Sequence, residues 1–76
     1  MKTYIFPVEL SEEEDGRWNA VVPSLHGCYT WGHTRDEAMA MIQDAVKCCV
    51  EDMIEHGEAL PEGVQVIDAP VASVVI

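Results

Sequence analysis

The side chains with reactive or metal-binding chemistry gather in one short stretch that holds His26, Cys28 and His33. A thiolate beside an imidazole is the chemistry of a nucleophile and its base. The same three side chains could instead share a zinc ion. Neither set is complete, because no fourth ligand stands at a recognised spacing and no oxyanion donor or orienting third residue accompanies the pair. Cys28 therefore reads as a small buried packing residue. Cys48 and Cys49 are neighbours on a predicted helix, about 100° apart around its axis, so they do not pair with each other and also read as packing. Carboxylates raise the alternative of a two-metal hydrolase or nuclease. Their positions argue against it: Glu12, Glu13, Glu14 and Asp15 share one loop, Asp44, Glu51 and Glu55 line the polar side of the helix, and only Glu9 and Asp68 fall in predicted strands. The expectation is a non-enzymatic chain with no catalytic residue, no metal and no cofactor.

What remains is charge. Fourteen acidic residues face four basic ones, for a net charge of -10 over 76 residues. Lys2, Arg17, Arg35 and Lys47 are scattered, whereas nucleic-acid affinity needs clustered cations that displace phosphate counterions. Direct nucleic-acid binding is not expected. An anionic surface suits a cationic protein partner, whose encounter it accelerates. Glu51, Asp52 and Glu55 crowd the C-terminal end of the helix, where each negative charge costs about 0.3 to 1 kcal/mol against the macrodipole. Selection for stability alone would place Lys or Arg there. These three, with Glu12, Glu13, Glu14 and Asp15, are the expected partner-binding residues.

The elements that must carry these groups follow from periodicity. Thr3 to Leu10 alternates as a strand with Tyr4, Phe6 and Val8 on one face, and Pro7 marks an edge or a break. Asp15-Gly16 supplies a hairpin turn. A second strand, Arg17 to Val22, puts Trp18, Ala20 and Val22 on one face. A third runs from Cys28 to Trp31. Thr34-Arg35-Asp36-Glu37 has the spacing of a capping box, so a helix starts there and runs to about Glu55. Gly57 is a left-handed stop and Pro61 bars continuation. Val64 to Ile67 and Val71 to Ile76 are strand material around Pro70. The predicted class is α+β: a three- to four-stranded antiparallel sheet packed on one helix, in the order β-β-β-α-β, as a single domain over residues 1–76.

At steps of about 100° the helix places Ala38, Ile42, Ala45 and Cys49 in a narrow stripe that a sheet would cover. Met39, Val46 and Val50 form a second apolar stripe beside it. The last segment, with Val71, Val74 and Ile76, is an apolar strand edge of the kind that invites pairing. Met39, Val46, Val50, Val71, Val74 and Ile76 are therefore the expected interface of a homodimer. The odd cysteine count, three, points to a reducing compartment. No signal-peptide core and no apolar run near the roughly 20 residues of a membrane span is present, so the expected location is cytoplasmic.

The run Pro23-Ser24-Leu25-His26-Gly27-Cys28-Tyr29-Thr30-Trp31-Gly32-His33-Thr34-Arg35-Asp36-Glu37-Ala38 resembles the signature of HicB-like antitoxins. That family carries a Pro-acidic-Leu-Pro-Gly-Cys run, alternating Thr, Gly and Thr, and a short acidic stretch before Ala at the helix start. Pro23, Leu25, Gly27, Cys28, Thr30, Gly32, Thr34, Glu37 and Ala38 match. Ser24 stands where an acidic residue is usual, and His26 where proline is usual. The resemblance implies a domain that binds HicA, a small RNA-cleaving toxin with a double-stranded-RNA-binding-like fold and a catalytic histidine, and masks its basic active site. Full-length members usually add a C-terminal DNA-binding domain. None is read in the residues through Ile76, so masking without operator repression is expected. Two other readings are an orphan oligomerising or ligand-sensing domain and a small nuclease or hydrolase.

Overall fold

The computed structural model describes residues 3–60 and 70–75. Strand β1 (Thr3–Pro7) is followed by β2 (Glu9–Glu12), β3 (Trp18–Val21), β4 (Tyr29–Gly32), the helix α1 (Arg35–Glu55) and β5 (Val71–Val75). All pairings are antiparallel: β1 with β5 in a two-stranded sheet, and β2, β3 and β4 in that order in a three-stranded one. The α+β class and the helix position follow the expectation. The predicted first strand divides after Pro7, because the chain changes partner there. Its first half pairs with β5 and its second with β3, and the Val8 amide donates to the Pro70 carbonyl at the junction (2.9 Å). The predicted strand Val64 to Ile67, Pro61 and Ile76 lie outside the described residues.

Alternation sets the sheet faces. Ala20 and Val22 are fully buried and Trp18 half-buried, while Asn19 and Val21 point away. In the second sheet Phe6, Ala72 and Val74 turn inward, with Tyr4 stacked near Phe6 at 6.5 Å between ring centroids. The helix starts as the sequence requires: Thr34 Oγ1 accepts from the Glu37 amide (3.0 Å). Glu37 reaches back one residue beyond the cap, accepting from the His33 amide (3.3 Å). It ends in a Schellman motif, in which Glu58 N–H donates to the Met53 carbonyl (2.9 Å) and Gly57 N–H to that of Ile54 (3.1 Å). Gly57 supplies the left-handed turn at φ 69°.

The helix corrects one expectation. Its fully buried residues are Ala38, Ile42, Val46 and Val50, while Ala45 and Cys49 are half-buried flanks. The cause is that α1 packs on β3 and β4 and also on β5, so it needs a broad apolar band. The buried row advances in steps of four, which precess by about 40° per step around a straight helix and follow the twist of the strands beneath. Val46 and Val50, expected at a dimer interface, lie in the chain's own core, as does Val74 (7% exposed). Met39 is half-buried against that core. Of the expected dimer residues, Val71 alone is exposed among those described. The free edge of β5 is also covered, since the Gln43 side chain accepts from the Ser73 amide (3.1 Å) and donates to the Ser73 carbonyl. Both backbone groups that another strand would use at Ser73 are occupied.

Candidate partner-binding site

The first acidic cluster is a built hairpin. The Glu13 amide donates to the Arg17 carbonyl (2.7 Å) and the Gly16 amide to that of Glu13 (2.9 Å), with Gly16 at φ 90°. These are the bonds of a three-residue loop closed by a glycine bulge. Asp15 accepts from the Arg17 amide (3.1 Å) and from its Nε (2.7 Å). The amide, and then the guanidinium, hold the Asp15 carboxyl below its ordinary range. Glu13 accepts from the Asn19 side chain. Arg17 in turn lies over the Trp31 ring, 5.3 Å from its centroid. Glu12 and Glu14 are exposed.

Glu51, Asp52 and Glu55 are exposed at the other cluster, and the last helical turn holds no basic residue. Partial compensation comes from the cap, His56, whose Nδ1 lies 2.8 Å from the Asp52 carbonyl oxygen and 3.4 Å from its carboxylate. The carbonyl first, then the charges of Asp52 and Glu58, raise the His56 pKa. The two clusters do not form one surface. The hairpin sits beside Trp18, which pairs with Gly32, and Gly32 abuts Ala38 at the start of the helix. From Ala38 to Asp52 the helix rises about 20 Å. The acidic residues grouped from sequence therefore occupy opposite ends of the molecule.

The His26, Cys28 and His33 stretch is also pulled apart. Val22 and Cys28 close a tight loop: the Val22 amide donates to the Cys28 carbonyl (3.0 Å), and inside it the Leu25 amide donates to the Val22 carbonyl (3.1 Å). Leu25 and Cys28 turn inward and are buried, Ser24 and His26 are exposed, and Gly27 takes φ 74°. Burial, and then the neighbouring Cys49, push the Cys28 thiol up to about 12, which keeps it from being a thiolate at neutral pH. His33 stands beyond the far end of β4, edge-on to Trp31 at 5.2 Å. Among the described residues no group of three or more His, Cys, Asp or Glu could hold a metal ion. His26 lines an open cleft of about 240 Å³ with Leu25, Cys49, Asp52, Met53 and Glu58.

One feature escapes the sequence reading. The outer face of the three-stranded sheet carries Val21 (38% exposed), Tyr29 (72%) and Trp31 (48%). Val21 pairs with Tyr29, and Asn19 with Trp31. The signal is present in Tyr29-Thr30-Trp31, where two aromatics flank a half-buried Thr30. It becomes readable once the helix is known to cover the opposite face.

Two small antiparallel sheets packed on one helix, with charged and aromatic residues on their exposed surfaces, define a domain of α+β class. The family model for the HicB-like antitoxin of bacterial toxin-antitoxin systems matches residues 6–73, and the chain belongs to that family. It is 36% identical over 56 residues to a UPF0150 protein of Thermoplasma acidophilum, covering 74% of this chain and 81% of that one. A UPF0150 protein of Archaeoglobus fulgidus is 35% identical over 65 residues, 83% of this chain and 91% of its own. An antitoxin HicB of Photorhabdus laumondii is 33% identical over 60 residues, which span 79% of this chain and 42% of that longer protein. In fold, the chain is similar to the crystal structure of the N-terminal domain of Burkholderia pseudomallei antitoxin HicB, with a TM-score of 0.73 at 24% identity over 95% of this chain and 96% of that domain.

Proposed function

We propose that this chain is a non-enzymatic antitoxin domain that binds a HicA-type, mRNA-cleaving toxin in the cytoplasm and masks its basic active site. The observation that supports the reading is family membership across residues 6–73. The net charge of -10 agrees with a cationic partner. The hairpin residues Glu12, Glu13, Glu14 and Asp15 and the helix-end residues Glu51, Asp52 and Glu55 serve in this reading as two separate anionic poles that steer the toxin. At physiological salt charges act over roughly 8 Å, so each pole acts on its own part of the partner. A homodimer belongs to the same reading and rests on Val71 with its exposed neighbours Ile5 and Val75.

The test is co-expression with the HicA-type toxin of the same genome. Restored growth and a co-purifying complex are expected, with no RNA cleavage by this chain alone. Failure to neutralise the toxin, or RNA cleavage by the purified chain, would overturn the reading. Replacing Glu51, Asp52 and Glu55 by their amides should slow association and flatten its salt dependence. An unchanged rate would remove that pole from the site.

A further inference from the structure

We infer that the outer face of the three-stranded sheet, which no other element covers among the described residues and which centres on exposed Val21, Tyr29 and Trp31, is the surface on which the cationic toxin docks, a step that rests on the antitoxin reading above. The residues are brought together by register and not by sequence. Val21 pairs with Tyr29 and Asn19 with Trp31, and on the other side of β3 Val21 pairs with Glu9 and Asn19 with Ser11. Because cross-strand partners share a face, the exposed aromatics form a patch whose margin holds Glu9. Glu13 joins that margin through its bond to Asn19. Arg17 lies on the Trp31 ring and is paired with Asp15.

This is the composition of an interface centre. Trp, Tyr and Arg supply most binding hot spots, and they work inside a polar rim. The structure leaves these apolar side chains in water, although alternation could have placed polar residues there at little cost. Charge selects the occupant. Carboxylates border the patch, and its cation, Arg17, is already neutralised by Asp15, so the complementary surface is a basic one. Aromatics on an open sheet can also stack on nucleobases, but such platforms sit in cationic grooves, and the carboxylates here would repel a phosphate backbone.

The experiment titrates the HicA-type toxin, carrying an inactivating substitution of its catalytic histidine, into the full chain and into Y29T, W31T and the double variant. Threonine keeps strand propensity on an outer face, and thermal melts confirm that each variant folds. The double variant should bind about 30-fold more weakly or worse. Met41→Ser and Ile54→Ser, which alter exposed apolar residues of the helix, should bind as the parent does. In a Trp18→Phe background, which leaves Trp31 as this chain's one tryptophan, Trp31 should be protected from acrylamide quenching when a toxin without tryptophan is bound. If the parent binds while the double variant binds equally well or Trp31 stays quenchable, the docking face is wrong and the antitoxin reading stands. If the parent does not bind, both fall. Quenching of Trp31 by single-stranded RNA in competition with the toxin would also overturn the proposal.

Discussion

Gly32 is the position at which the least added matter should do the most harm. A Cβ there would lie 2.5 Å from the Ala38 nitrogen and 3.0 Å from both the Ala38 Cα and the Glu37 carbonyl carbon. Ordinary contact is about 3.5 to 4 Å, and the atoms met are backbone, which cannot rotate aside. In Gly32→Ala the start of α1 must therefore back away from β4 by about 1 Å. That motion strains the Thr34 and Glu37 caps and loosens the fully buried Ala38. Overpacking costs about 1 to 3 kcal/mol, and because the obstacle is backbone the cost lies in the upper part of that range, about 2 to 3 kcal/mol. Removing a flexible glycine from a strand returns about 0.5 to 1 kcal/mol, which leaves a net loss of about 1 to 2.5 kcal/mol. For a domain of this size each kcal/mol moves Tm by about 4 to 8 °C, so thermal denaturation followed by circular dichroism should show a fall of about 5 to 20 °C. Gly27 is the control, because it has no atom within 4 Å of an added Cβ but takes φ 74°. Gly27→Asn should be tolerated better than Gly27→Ala, since Asn accepts the left-handed region. A Gly32→Ala melt within about 2 °C of the parent would refute the argument that close helix–strand approach demands glycine here.

Three further outcomes are expected. Gln43→Ala removes both bonds to the Ser73 backbone; it should cost about 0.5 to 1.5 kcal/mol and raise self-association in sedimentation by opening the β5 edge, whereas unchanged association would show that Gln43 does not guard it. His56 should titrate above the ordinary imidazole value of 6.5 in NMR. Because its folded pKa is raised, its stabilising contribution is complete below pH 6.5 and disappears as pH rises through the folded pKa, and His56→Ala should abolish that slope. Iodoacetamide at neutral pH should modify exposed Cys48 in the native chain and reach buried Cys28 only on unfolding; early alkylation of Cys28 would contradict its packing.

Features that depend on neighbours a few residues apart are legible in the chain itself. Thr34 and Glu37 mark the helix start, Gly57 its end, and Asp15-Gly16 the hairpin, because capping and turn bonds form within one local segment. The strand faces follow from alternation, and the run from Pro23 to Ala38 carries the family resemblance. The candidate site is less legible, because side-chain exposure depends on what lies across from an element. Val46 and Val50 are as apolar as any interface residue, and only the seating of one helix over two sheets makes them core. The acidic residues look like one group in composition, yet the direction of the helix sends them to opposite ends. Tyr29 and Trp31 alternate with Thr30 as strand residues in general do; they become a surface because the helix occupies the other face of their sheet, and burial is a property of two packed elements that neither segment specifies alone.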